Sequence, residues 1–161
     1  MRDARFTIHE NMLLKKQIFE DMKSAMKAGD AAKRDTLRML DSMIKNVEIE
    51  KMKREEGLSD PEVQEVIARA VKQRKDAIAQ FESGGRPELA EKEQKEIEIL
   101  MAYMPEQMSE EKVREIVKEV ITATGAATKA DIGKVMGQAM GKLKGQADGN
   151  LVKKIAEEEL Q

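Results

Sequence analysis

The 161 residues leave room for one domain or two small ones, and a composition of 37% charged and 40% hydrophobic residues, rich in Ala, Glu, Lys, Met and Leu, is that of a helical protein. Three Phe, one Tyr and no Trp exclude a sheet that stacks bases on aromatic rings, and the lack of cysteine excludes disulfides, thiolate metal sites and a cysteine nucleophile. No apolar run approaches the ~18 residues that span a bilayer, Asp3 and Glu10 argue against a transit peptide, and the expected location is cytosolic, with no membrane partner.

Apolar residues recur every three or four positions, which predicts helices throughout. Leu14, Ile18, Met22 and Ala25 line a first helix that ends at Gly29. Asp30 caps a second, whose inner row is Leu37, Leu40, Ile44 and Val47, and which frays into EKMKREEG before Gly57. Asp60 as cap and Pro61 in the first turn open a third helix, with Val63, Ile67, Ala70, Val71, Ile78 and Phe81 inward, up to Gly84-Gly85. Pro87 starts a fourth, burying Leu89, Ile97 and Leu100. Tyr103-Met104-Pro105 breaks the pattern, because a residue before proline is steered out of helical geometry, and a domain boundary falls there. Ser109 then caps a helix with Val113, Ile116, Val117 and Val120 inside, and Gly125 ends it. Thr128 opens a helix carrying Ile132, Val135, Met136, Ala139 and Leu143, and Asp148 caps the last, which buries Leu151, Val152 and Ile155. The expected fold is all-α: an N-terminal four-helix domain over 12–104 and a C-terminal three-helix module over 105–161.

Glycines 133, 137, 141, 145 and 149 share one spacing, in GKVMGQAMGKLKGQADG. Each helical glycine costs about 0.5–1 kcal/mol relative to alanine, so some close approach must offset three of them. From Lys129 to Lys154 there are six lysines against Asp131 and Asp148, a local +4 in a chain of net charge −2. One reading is a polyanion site: Lys134, Lys142, Lys144 and Lys153 meet phosphates, while Gly137 and Gly145 admit close backbone approach and Gln146 lies in the turn. The other is tight helix packing, with the lysines merely solvated.

The run 133–160 closely resembles the C-terminal tail module of the B subunit of tRNA-dependent amidotransferases. KRDTLRMLDSMIKNVEIE (33–50), KQRKDAIAQFESGGRPELAEKE (72–93) and YMPEQMSEEK (103–112) resemble the stand-alone YqeY-like relatives that carry the same tail. The likeness covers roughly residues 12–160, leaving 1–11 as an extension that is expected to be disordered. It implies an all-helical fold and, within the amidotransferase, contact with the tRNA body. Gly141 departs from the family pattern, where a larger residue is expected.

Other constellations have plainer explanations. Lys33, Arg34, Arg38 and Lys45 share a face with Asp30, Asp35, Asp41 and Glu48, whose opposite charges cancel any long-range field. Ser42-x-x-Lys45 and Ser109-x-x-Lys112 match a serine acyl-enzyme pattern but lack its other elements. His9 has no second histidine to build a metal site or triad, and lysines interleave the glutamates of the fourth helix. Methionine pairs 22/26, 39/43 and 136/140 suit either core filling or an adaptable protein-binding groove. No catalytic residue, metal or cofactor is expected. The expected function is non-catalytic binding of tRNA or tRNA-charging machinery, with a protein-protein adaptor as the alternative.

Overall fold

The computed structural model describes residues 13–143 and 145–160. Among them the protein is all-α, as the periodicity predicts, with seven α-helices and one short 3-10 turn. The chain divides into two compact units, residues 1–104 and 105–161.

In the first unit, α1 (Leu13–Ala28), α2 (Ala31–Glu50), α3 (Asp60–Ser83) and α4 (Pro87–Met101) enclose one core. Its centre is Ile18, Leu37, Leu40, Ile44, Leu58, Ile67 and Leu100, all essentially without solvent contact. Burial of such rows stabilises these helices far more than propensity does. On α4 the inner position falls to Ala90 rather than Leu89, which is only half-buried.

The cap of α3 corrects the sequence reading. Ser59, not Asp60, is the N-cap: its hydroxyl accepts from the Glu62 N–H, and the Glu62 carboxylate reaches back to the Ser59 N–H at 2.9 Å. This reciprocal pair satisfies two donors that the first turn leaves free. Asp60 instead accepts the Leu14 N–H at 3.0 Å and holds the start of α1. Bonds from Lys53, from the Ser59 N–H and hydroxyl and from Lys51 hold the Glu62 carboxyl near a pKa of about 2, against an ordinary 4.5. The folded state therefore favours the carboxylate. Its stabilising contribution is complete above the unfolded value and is lost as pH falls from 4.5 through about 2. Urea midpoints of the native chain should drop faster than those of Glu62→Gln across that window and run parallel above it. Equal slopes within the window would contradict this role.

Three helices of this unit end alike, with the N–H of the second residue past the cap bonded back to the carbonyl five residues earlier. Asp30 reaches Ala25 at 3.0 Å, Arg86 reaches Phe81 at 2.8 Å and Lys53 reaches Glu48 at 2.7 Å. The motif needs a left-handed residue just before that donor, and Gly29 (φ 73°) and Gly85 (φ 70°) supply it for α1 and α3. In α2 the same place is taken by Met52, at φ 56°. Left-handed backbone costs a residue with a Cβ about 1 kcal/mol. Met52→Gly should therefore raise the stability of the first unit by about that amount, read as a higher urea midpoint. A lower midpoint would show that the methionine side chain contributes more than its backbone costs.

The second unit packs α5 (Glu110–Thr124), the turn Lys129–Asp131, α6 (Ile132–Leu143) and α7 (Gly149–Glu159). Its core is built of short side chains: Val113, Val117 and Val120 from α5, Val135, Ala139 and Leu143 from α6, and Val152, Ile155 and Ala156 from α7. Ser109 caps α5 and Gly125 closes it at φ 68°. Arg114 joins the two ends of the chain within this unit, donating to Glu158 and Glu159 at 2.7 Å each.

Candidate nucleic-acid interface

The candidate surface lies on α6. At about 100° per residue, Val135, Ala139 and Leu143 mark the buried side, with Ile132, Met136 and Met140 flanking it. The opposite side carries two adjacent rows, Gly133-Gly137-Gly141 and Lys134-Gln138-Lys142, and every one of these six residues is exposed. The packing explanation for the glycine row is thereby corrected. A Cβ built at Gly133, Gly137 or Gly141 meets nothing within 4 Å, so no neighbouring helix of the unit demands their absence of side chain. All three also have negative φ, so the backbone does not require glycine either.

Of the remaining two glycines, the backbone calls for one, Gly145, and not for Gly149. Gly145 adopts φ 80° at the exit from α6, a conformation that favours glycine. Its carbonyl accepts from the Gln107 side-chain amide at 3.0 Å. Gln146 sits in the same turn, where its N–H bonds the Leu143 carbonyl and its carbonyl accepts the Met108 N–H at 2.8 Å. Gly149 is the first residue of α7, and a Cβ there would only touch the Met140 methyl at 3.8 Å.

Lys134 extends its ammonium to the Thr124 carbonyl at the end of α5, at 3.4 Å. Lys142 is exposed on the last turn of α6, about 12 Å further along the axis. Lys153 is exposed on the solvent side of α7. Lys144, singled out with them from the sequence, lies outside the described residues. No acidic residue interrupts the stretch from Gly133 to Leu143. Asp131, just before it, accepts from the N–H groups of Ala127 and Thr128, and those bonds hold its carboxyl below the usual range. At the start of α7 the Asp148 carboxylate accepts the Asn150 N–H at 2.7 Å, so this helix N-terminus already has its anion. The lysine and glycine rows of α6 thus form the basic, bare-backbone surface, while Gly145 and Gln146 build the turn beneath it.

The other candidates resolve into structural roles. Arg34 pairs with Asp35 at 2.8 Å and Lys45 with Asp41 at 2.6 Å, which leaves a charge-balanced face on α2. Ser42 donates to the Arg38 carbonyl, and Ser109 is a helix cap. Met22 and Met43 pack against the first core, Met136 and Met140 against the second, whereas Met26 and Met39 are exposed. His9 lies outside the described residues. Among the described residues no three His, Cys, Asp or Glu side chains are grouped to hold a metal, and no helix is long and apolar enough to cross a membrane.

Sequence reasoning missed Arg74, which is 4% exposed inside the first unit. Its Nε donates to Glu96 at 2.9 Å, Nη1 to the Ala70 carbonyl at 3.0 Å and Nη2 to the Met39 sulfur at 3.5 Å. The only hint was its position one turn after Ala70 and Val71.

Compared with known proteins, residues 15–160 match the family model described as Yqey-like protein. A protein of Kluyveromyces lactis named "Altered inheritance of mitochondria protein 41, mitochondrial" is 40% identical over 84 residues, covering 52% of this chain and 44% of that protein. Its namesake in Eremothecium gossypii is 38% identical over 85 residues, 53% of this chain and 45% of that protein. A Schizosaccharomyces pombe protein described as uncharacterized is 30% identical over 97 residues, 60% of this chain and 73% of that protein. The chain thus spans less than half the length of the two mitochondrial relatives. Their names overturn the cytosolic expectation. Composition separates membrane-spanning chains from others, but a mature mitochondrial protein and a cytosolic one face the same solvent and look alike by that measure.

Proposed function

This chain belongs to the YqeY-like family, and on that premise we propose that it is a non-catalytic helical binding protein that associates with tRNA, or with tRNA-charging machinery, through the solvent face of α6. The observation that carries the reading is the exposed Gly133-Gly137-Gly141 row beside Lys134 and Lys142, with open space where each Cβ would stand. Three glycines in one helix are a thermodynamic load that no contact within the described residues of this unit calls for. A sugar-phosphate backbone lying along the row would approach the helix more closely than side chains permit, and the flanking ammonium groups would meet its phosphates. The likeness to the amidotransferase tail supports tRNA as the polyanion. Phe19 and Met26, both exposed on α1, favour the second reading, a protein-protein adaptor.

The test is binding of labelled total tRNA at about 50 and 200 mM salt. Two to three lysine–phosphate contacts should weaken binding roughly 10- to 40-fold over that range, through counterion release. Lys134→Glu with Lys142→Glu should abolish it. Affinity that ignores salt, or no binding at the lower concentration, would move the function to a protein partner.

A further inference from the structure

We propose that Met52 is a modification site for peroxides, oxidised to the sulfoxide ahead of every other methionine among the described residues. Of the three helix ends closed in the same way, those of α1 and α3 place glycine at the left-handed position and that of α2 places methionine. Left-handed geometry at the end of α2 carries the side chain away from the helix. Met52 is 92% exposed, against 51% for Met26 and 41% for Met39. Nothing in the core packs on its thioether. The Met39 sulfur, by contrast, accepts a hydrogen bond from Arg74, and Met22, Met43, Met101, Met104, Met108, Met136 and Met140 lie partly buried against the two cores.

Oxidation of a thioether needs an approach path for the oxidant and a free sulfur lone pair, and Met52 has both. The lone pair attacks one oxygen of hydrogen peroxide; the sulfur–oxygen bond forms as the oxygen–oxygen bond breaks. The departing hydroxide takes the proton of the transferred oxygen and leaves as water. Sulfur loses two electrons and the peroxide gains them. The product replaces the most exposed large apolar side chain among the described residues with a polar one. It also places a strong acceptor oxygen within a segment that carries Lys51, Lys53 and Arg54. Because no packing is lost, the fold tolerates the change. Oxidation of the half-buried methionines would instead put a polar group against a core.

The experiment exposes the full chain to stoichiometric hydrogen peroxide and follows each methionine by glutamate-specific cleavage and fragment-ion mass spectrometry, folded and in urea. Among the methionines from Met22 to Met140, the folded chain should gain oxygen first at Met52, at least about fivefold faster than at Met26, with helical circular dichroism unchanged. In urea the rates should converge. A Met52→Leu variant should lose the fast phase and keep the slower ones. Equal rates at Met52 and Met26 in the folded chain, or helix loss in step with Met52 oxidation, would overturn the assignment.

Discussion

Replacing Gly133, Gly137 and Gly141 together with alanine should make the second unit more stable. Each substitution adds a side chain where nothing lies within 4 Å and removes the conformational freedom that glycine has in the unfolded chain. Gly137 is mid-helix and should give the full ~0.5–1 kcal/mol. Gly133 and Gly141 lie near the ends of α6, where helix propensity counts for less. The sum is about 1.5 kcal/mol, or an upward shift of roughly 5–10 °C for a unit of this size. Thermal unfolding followed by helical circular dichroism reads it directly. A packing role for the glycines demands the opposite sign, since three added methyl groups would then clash. A fall in stability would therefore show that another surface rests on this row.

The second large effect concerns the buried pair in the first unit. Glu96→Ala strips the Arg74 guanidinium of its carboxylate while leaving the charge 4% exposed, with a backbone carbonyl and a thioether as its remaining partners. Leaving a buried charge uncompensated costs about 3 kcal/mol, a drop on the order of 15 °C in the melting of that unit. Arg74→Met removes the charge but keeps most of the volume. Glu96 is 22% exposed through its side chain and can then turn to water, so the loss should be smaller. Combining Arg74→Met with Glu96→Leu should recover much of what Glu96→Ala loses, because apolar packing replaces a desolvated pair. Urea titrations of the native chain and these variants decide the matter. Losses that simply add would mean that the pair is solvated and independent.

The helices were legible because their inner rows repeat without interruption: Leu37, Leu40, Ile44 and Val47 on α2, and Val113, Val117 and Val120 on α5, all lie where the period puts them. Boundaries depended on chemistry that competes locally. Ser59 and Asp60 are both good caps before a proline; the deciding residue is Glu62, three positions after Ser59, and that signal was present in the sequence. The exposure of the glycine row was also legible, since Gly133 stands about 160° from Val135 around the helix. What favoured packing instead was the general tendency of glycine to mark tight contacts. Two features had no local signal. Arg74 sits in the run KQRKD, which reads as a solvated face, and only the placement of α2 and α4 buries it. Met52 follows a charged helix end for which the sequence places the stop at Gly57, so its left-handed backbone is invisible in the pattern.

The most direct measurement of the central claim is the tRNA affinity of the Gly133→Ala, Gly137→Ala, Gly141→Ala variant beside the native chain, at about 50 mM salt. The substitutions leave the charge untouched and should stabilise the helix, so neither unfolding nor lost electrostatics can account for a change. Affinity reduced by about tenfold or more in the more stable variant is the predicted result, about 1.4 kcal/mol of contact that only a bare backbone allows. Native affinity in the stabilised variant would contradict it and show that tRNA does not rest on the bare backbone of α6.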